Sequence, residues 1–222
     1  MNRSRGFTLV EVLVAIGVMA VLALMSWRGV DAMLRTQTAL QQRADHIQTL
    51  QAALAQWQTD WNRVSTASGL TSWDWDGKVL RLTREGVQAS EGLRVVAWTW
   101  RSTGAGAGQW LRWQSPAVTT PTAWQEAWQN ASTWSQTPTE SLRSAEVSLH
   151  ALAGWQLFVH RGGSWTNPLS SDGSTSNSGT AATETARVPD GVRLLLDLPA
   201  PAPVSGRVTL DWVRPTLTGA GS

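Results

Sequence analysis

R-G-F-T-L-V-E-V-L-V-A-I, residues 5–16, opens an apolar run that continues to Met25 and decides how the rest of the chain is read. Between Phe7 and Met25 only Thr8, Glu11 and Gly17 interrupt it. These 19 residues, as a helix, rise about 28 Å, close to the hydrocarbon thickness of a bilayer. The segment therefore reads as a membrane span. Arg3 and Arg5, in the short leader M-N-R-S-R-G, place its N-terminus in the cytoplasm by the positive-inside rule, so everything after Trp27 is exported. A secretory signal would carry a small-residue cleavage site beyond the apolar region, whereas here an amphipathic helix simply continues. Glu11 is the anomaly. A carboxylate inside a spanning helix costs about 2.5–3.5 kcal/mol on insertion scales, so it either reaches the cytoplasmic interface or finds a partner.

Helical periodicity extends past the span. Leu40, Ile47, Leu50, Leu54, Trp57, Trp61 and Val64 recur at steps of three, four and seven, one stripe of a helix. Gln41, Gln42, Asp45, Gln48 and Asp60 are assigned to its polar remainder. No Pro interrupts residues 7–64, which predicts one helix of about 85 Å ending before Gly69 and Thr71-Ser72. Its second half is expected to pack the stripe against a sheet, since Trp suits that better than a narrow coiled-coil seam.

Beyond residue 70 the apolar period becomes two. Residues 78–84, 93–102 and 109–115 read as strands, the last two joined by a loop containing Gly104, Gly106 and Gly108. Residues 123–130 form a short helix or a loop carrying Trp124 and Trp128. Residues 147–151 and 155–161 are expected to pair with each other. Residues 166–186, rich in Ser, Thr, Gly and Asn, read as a long mobile loop. Residues 192–198 and 207–214 close as a hairpin across P-A-P-A-P-V-S-G. The fold class is α+β, a long helix on antiparallel sheet.

Composition narrows the function. The isoelectric point of about 10.3 suggests nucleic acid, but the net charge is only +2 and the Arg residues are scattered rather than clustered on one face. No nucleic-acid partner is expected. Cysteine is absent, which excludes disulfides and thiolate metal sites, so an exported domain must be stable by its core alone. Fifteen Trp stand against two Phe and no Tyr, and read as the large core residues of this protein. No G-x-S-x-G, S-x-x-K, H-E-x-x-H or phosphate-binding glycine loop is present. His46, His150 and His160 lack metal-ligand spacing. Asp74 and Asp76 in D-W-D-G lack the remaining ligands of a calcium loop and read as a turn entering the next strand. No catalytic residue, metal or cofactor is assigned, and the chain is not expected to be an enzyme.

The stretch at residues 5–16 resembles the class III signal of type IV prepilins and type II secretion pseudopilins. It has a small residue before the scissile bond (Gly6), the Phe that becomes the new N-terminus (Phe7), and a carboxylate five residues into the mature chain (Glu11). The resemblance implies that a prepilin peptidase cuts between Gly6 and Phe7 and N-methylates Phe7. It also implies that Glu11 pairs with the Phe7 amine of a neighbouring subunit, an arrangement that makes two costly groups cheaper together. The implied organisation is pilin-like: leader 1–6, transmembrane and assembly helix 7–27, periplasmic continuation of the helix 28–68, periplasmic antiparallel β domain 69–215, and a disordered tail 216–222.

A finer likeness runs through the later chain. M-S-W-R-G-V-D-A-M-L-R (25–35), G-W-Q-L-F-V (154–159), W-T-N-P (165–168) and V-P-D-G-V-R-L-L-L-D-L (188–198) resemble the J class of type II secretion minor pseudopilins, the GspJ family. That likeness implies a structural subunit at the tip of the periplasmic pseudopilus, in the inner membrane of a bacterium. Its implied partners are the I-class and K-class minor pseudopilins, the filament's major subunit and the prepilin peptidase. Trp124, Trp128 and Trp134 are candidate anchors for such partners. The alternatives are a minor pilin of a true type IV pilus, against which the missing Cys counts, and a bitopic periplasmic enzyme.

Overall fold

A single helix, α1 (Leu9–Asn62), holds both the apolar run and the Trp stripe in one uninterrupted element of 54 residues. The computed structural model describes residues 7–86, 88, 91–104, 106–161, 163–170 and 188–215, so the leader 1–6 with Gly6, the tail 216–222 and most of the loop expected at 166–186 lie outside the described residues. The helix stops at Asn62, seven residues before Gly69, because the sheet takes over its backbone groups. Ser65 N–H donates to the Thr83 carbonyl at 2.8 Å and Glu85 N–H to that of Arg63 at 2.9 Å. The chain divides into two compact units, Met1–His46 and Ile47–Ser222.

The second unit is built on two antiparallel sheets. The first has the order β1-β2-β3-β4-β5, with β1 (Trp73–Trp75), β2 (Val79–Glu85), β3 (Leu93–Gly104), β4 (Ala107–Gln114) and β5 (Glu146–Leu152). Alternation on β2 explains why this sheet is covered on both faces. Leu80 and Leu82 join the larger core with Leu50, Ala53, Trp57 and Trp61 of α1, while Val79 joins a second core with Val95, Ala97 and Leu111. That second core is closed by α2 (Pro121–Gln136), an N-capped helix whose Trp124, Ala127, Ala131 and Trp134 lie on one buried stripe. The capping is local: Thr120 precedes Pro121, and its side chain accepts from Ala123 N–H. A four-residue helix, α3 (Glu140–Arg143), leads into β5.

The second sheet has the order β7-β6-β8-β9, from β6 (Gly154–Arg161), β7 (Ser164–Thr166), β8 (Gly191–Leu198) and β9 (Gly206–Val213). Leu157, Val159, Val192, Leu194, Leu196 and Trp212 complete the larger core, so α1 from Leu50 onward is packed between contributions from both sheets. The hairpin of residues 192–198 and 207–214 forms as expected, as β8 and β9. The pairing expected between residues 147–151 and 155–161 does not. β5 pairs with β4 and β6 with β8. Only Ala153 separates the two strands, too little chain for a two-residue hairpin turn, so the backbone continues from one sheet into the other.

Candidate functional site

Thr8 and Glu11 form a reciprocal cap at the start of α1. Thr8 N–H and Thr8 Oγ1–H both donate to Glu11 Oε2 at 2.9 Å, and Glu11 N–H donates to Thr8 Oγ1 at 3.3 Å. This is a capping box, and it satisfies amide groups that the first turn of a helix cannot pair internally. Among the described residues, Glu11 Oε1 has no partner and remains open to a further donor. Sequence reasoning singled out Glu11 and missed Thr8, although T-x-x-E at the head of an apolar run is itself the signature. Phe7, the expected new N-terminus, is exposed, as are the large apolar side chains from Leu9 to Leu34. Among the described residues α1 is the one helix long and apolar enough to cross a membrane. A helix apolar on all sides needs lipid or other helices around it.

Within the second unit, the end of α1 is held by a buried charge cluster that sequence reasoning misplaced. Asp60, assigned to the polar face, is 0% exposed. Its Oδ1 accepts from Arg84 Nη1 (2.8 Å), Arg112 Nη2 (3.0 Å) and Gln56 Nε2 (3.0 Å). Its Oδ2 accepts from Arg112 Nε (2.8 Å) and the Trp98 indole N–H (3.0 Å). One carboxylate therefore ties the last turn of α1 to β2, β3 and β4. The signal was present: Trp57, Asp60, Trp61 and Val64 stand at i, i+3, i+4 and i+7, so Asp60 occupies the stripe itself. The stripe is also shorter than expected. Burial begins at Leu50, whereas Leu40 is 63% and Ile47 37% exposed.

The Trp residues act as core rather than platform. Trp57 meets Trp61, Trp98 and Trp155 edge to face, with centroids 6.2, 5.2 and 6.1 Å away. Trp124 and Trp134 are buried and cannot serve as exposed anchors. Their indole N–H groups donate to Thr83 Oγ1 at 2.9 Å and Glu146 Oε2 at 2.6 Å, because α2 turns that face onto the sheet. Trp128 is half-buried, stacked on Trp124 and covered by the Arg81 guanidinium 5.0 Å from its ring centre. Asp76 accepts from Lys78 and Val79 N–H, making the tight β1–β2 turn with Gly77 at φ 92°, and Asp74 on β1 pairs with Arg81. Both carboxylates are thus engaged within their own hairpin. His160 meets Trp165 edge to face at 5.3 Å, and His150 is buried on β5.

Comparison with known proteins supports one assignment. Residues 1–27 match the family described as "Prokaryotic N-terminal methylation motif". No curated protein matches the chain. The motif, the single apolar helix and the helix-on-sheet layout together indicate a membrane-anchored protein of the pilin-like or pseudopilin kind.

Proposed function

We propose that this chain is a minor pseudopilin of the type II secretion system, of the J class, and that it works by assembly rather than by catalysis. The observation that carries the reading is the methylation motif over residues 1–27, set on a helix whose exposed apolar first half continues into a sheet-anchored second half. In this reading prepilin peptidase cuts after Gly6 and N-methylates Phe7 in the inner membrane. The new amine of Phe7 then approaches Glu11 of a neighbouring subunit, where Oε1 is open while Thr8 holds Oε2. Because only one axial stagger brings amine and carboxylate together, the pair sets the register between subunits. The apolar helix surface is shared first with lipid and then with other helices of the filament, and the domain from Ile47 onward stands in the periplasm at the pseudopilus tip. The missing disulfide and the J-class sequence likeness favour this over a minor pilin of a type IV pilus.

Membrane-extracted protein should begin at N-methyl-Phe7 by N-terminal mass analysis, and should co-purify with the I-class and K-class minor pseudopilins of its own system. An intact Met1 or Asn2 start in cells with active prepilin peptidase would overturn the whole reading. Correct processing with co-assembly only on type IV minor pilins would replace the secretion role with the pilus role.

A further inference from the structure

We propose that β9 is a self-complementary edge through which two copies of this chain join their second sheets. β9 closes one side of that sheet and pairs only with β8 among the described strands. It runs eight residues from Gly206 to Val213 without a Pro, and its register against β8 is unbroken by any bulge. Pro203 before it and Pro215 after it confine any further pairing to this segment.

The outward-facing backbone groups follow from the ladder. Arg214 N–H donates to the Asp190 carbonyl at 2.9 Å, in register with Gly191↔Val213 and Val192↔Trp212. Hydrogen-bonded pairs alternate along an antiparallel ladder, so Val208, Leu210 and Trp212 turn their main-chain groups toward β8. Arg207, Thr209 and Asp211 therefore turn theirs away from the sheet, and all three are exposed.

The occupant is specified by the order of charges. An exposed edge normally invites indiscriminate pairing, which proteins limit with charges. Here the strand reads R-V-T-L-D from Arg207 to Asp211. An antiparallel second copy centred on Thr209 sets each Arg207 against the other copy's Asp211, Val208 against Leu210, and Thr209 against itself. Parallel pairing would set Arg207 against Arg207, and a slip of two residues either way would lose both charge pairs. Opposite charges facing each other across strands stabilise and like charges destabilise, so one register is selected. The same residues already pair across their own sheet with β8, Arg207 with Asp197 and Asp211 with Arg193, each at 2.7 Å, so the second copy would continue each pair into a row of alternating charges. Two four-stranded sheets become one of eight strands with a two-fold axis through Thr209. This inference does not depend on the secretion reading.

The test uses the full chain in detergent micelles, where the absence of native cysteine gives a clean background. Cα atoms of a hydrogen-bonded pair lie about 5.5 Å apart, within disulfide range. Under mild oxidation Thr209→Cys should give at least tenfold more linked dimer than Val147→Cys, which places a thiol on exposed β5. A mixture of Arg207→Cys and Asp211→Cys chains should crosslink as the hetero-pair. Adding Thr209→Pro to both should lower that yield at least fivefold, since it removes an outward N–H and leaves the β8 ladder intact. Thr209→Cys no better than Val147→Cys would overturn the proposal. So would a Thr209→Cys disulfide to a polypeptide of different mass, or a hetero-pair yield indifferent to Thr209→Pro in chains with an unchanged unfolding midpoint.

Discussion

Asp60→Asn is the sharpest probe of how α1 is held. The substitution is nearly isosteric, so it opens no cavity, but it removes the counter-charge shared by Arg84 and Arg112, whose side chains are 9% and 11% exposed. It also replaces one acceptor oxygen with a donor that faces the guanidinium and indole groups now bonded there. Breaking one partner of a buried ion pair costs about 3–5 kcal/mol, because the surviving charge stays desolvated. For a unit of this size each kcal/mol moves the midpoint by about 2–4 °C, so the thermal transition should fall by about 6–20 °C. Intrinsic Trp fluorescence is the natural readout, as Trp98 bonds directly to Asp60 and packs on Trp57 and Trp110. The companion is Asp60→Leu with Arg84→Met and Arg112→Met, which removes the whole ion network. Gln56 and Gln114 also lose a partner but are only half-buried and can turn to water. The main cost is the orphaned, buried Trp98 N–H, at about 1–3 kcal/mol, so the triple variant should be more stable than Asp60→Asn alone. A shift under 2 °C for Asp60→Asn, or a triple variant no better than the single one, would refute the assignment of α1 anchoring to this charge.

Two further outcomes follow from the helix. Trp57→Ala should cost about 3–5 kcal/mol, since Trp57 is 0% exposed among other rings, while Leu40→Ala should leave the midpoint unchanged; equal effects in denaturant titrations would contradict the burial boundary at Leu50. At the N-terminus, Glu11→Ala and Glu11→Gln should both insert and be cleaved yet crosslink less to neighbouring subunits; because Gln preserves the capping box and only the charge is lost, wild-type crosslinking by Glu11→Gln would assign the residue to capping rather than to amine pairing.

The legible part of the fold was whatever a single period could express. The uninterrupted run after Phe7, the stripe at Trp57 and Trp61, and the alternation on β2, β3, β4, β8 and β9 each fix one element against one environment. The unread part involved choices between elements. Strands β5 and β6 have correct patterns, but alternation does not say whether a strand turns back or crosses to a second sheet; the one-residue gap at Ala153 does. The Trp residues of α2 stood as candidates for anchor and core alike because aromatic residues suit both, and the helical spacing of Trp124, Ala127, Ala131 and Trp134 marks a face that must be covered.

Asp60 shows the same lesson at the level of one charge. A carboxylate on a helix is ordinarily solvated, which is why Asp60 was assigned to the polar face. Yet Arg84 and Arg112 each stand two residues beyond a residue of the larger core, Leu82 on β2 and Trp110 on β4, and so share its face of the sheet. Inward-facing guanidiniums require a buried acceptor, since burying an unpaired charge is far costlier than burying a paired one. The i, i+3, i+4 stripe supplies one candidate, Asp60, and the cluster could have been inferred by asking what balances the two arginines. The same bookkeeping of charge against position makes R-V-T-L-D on β9 informative: once the strand is known to be an edge, the order of its two charges selects the partner that can lie beside it.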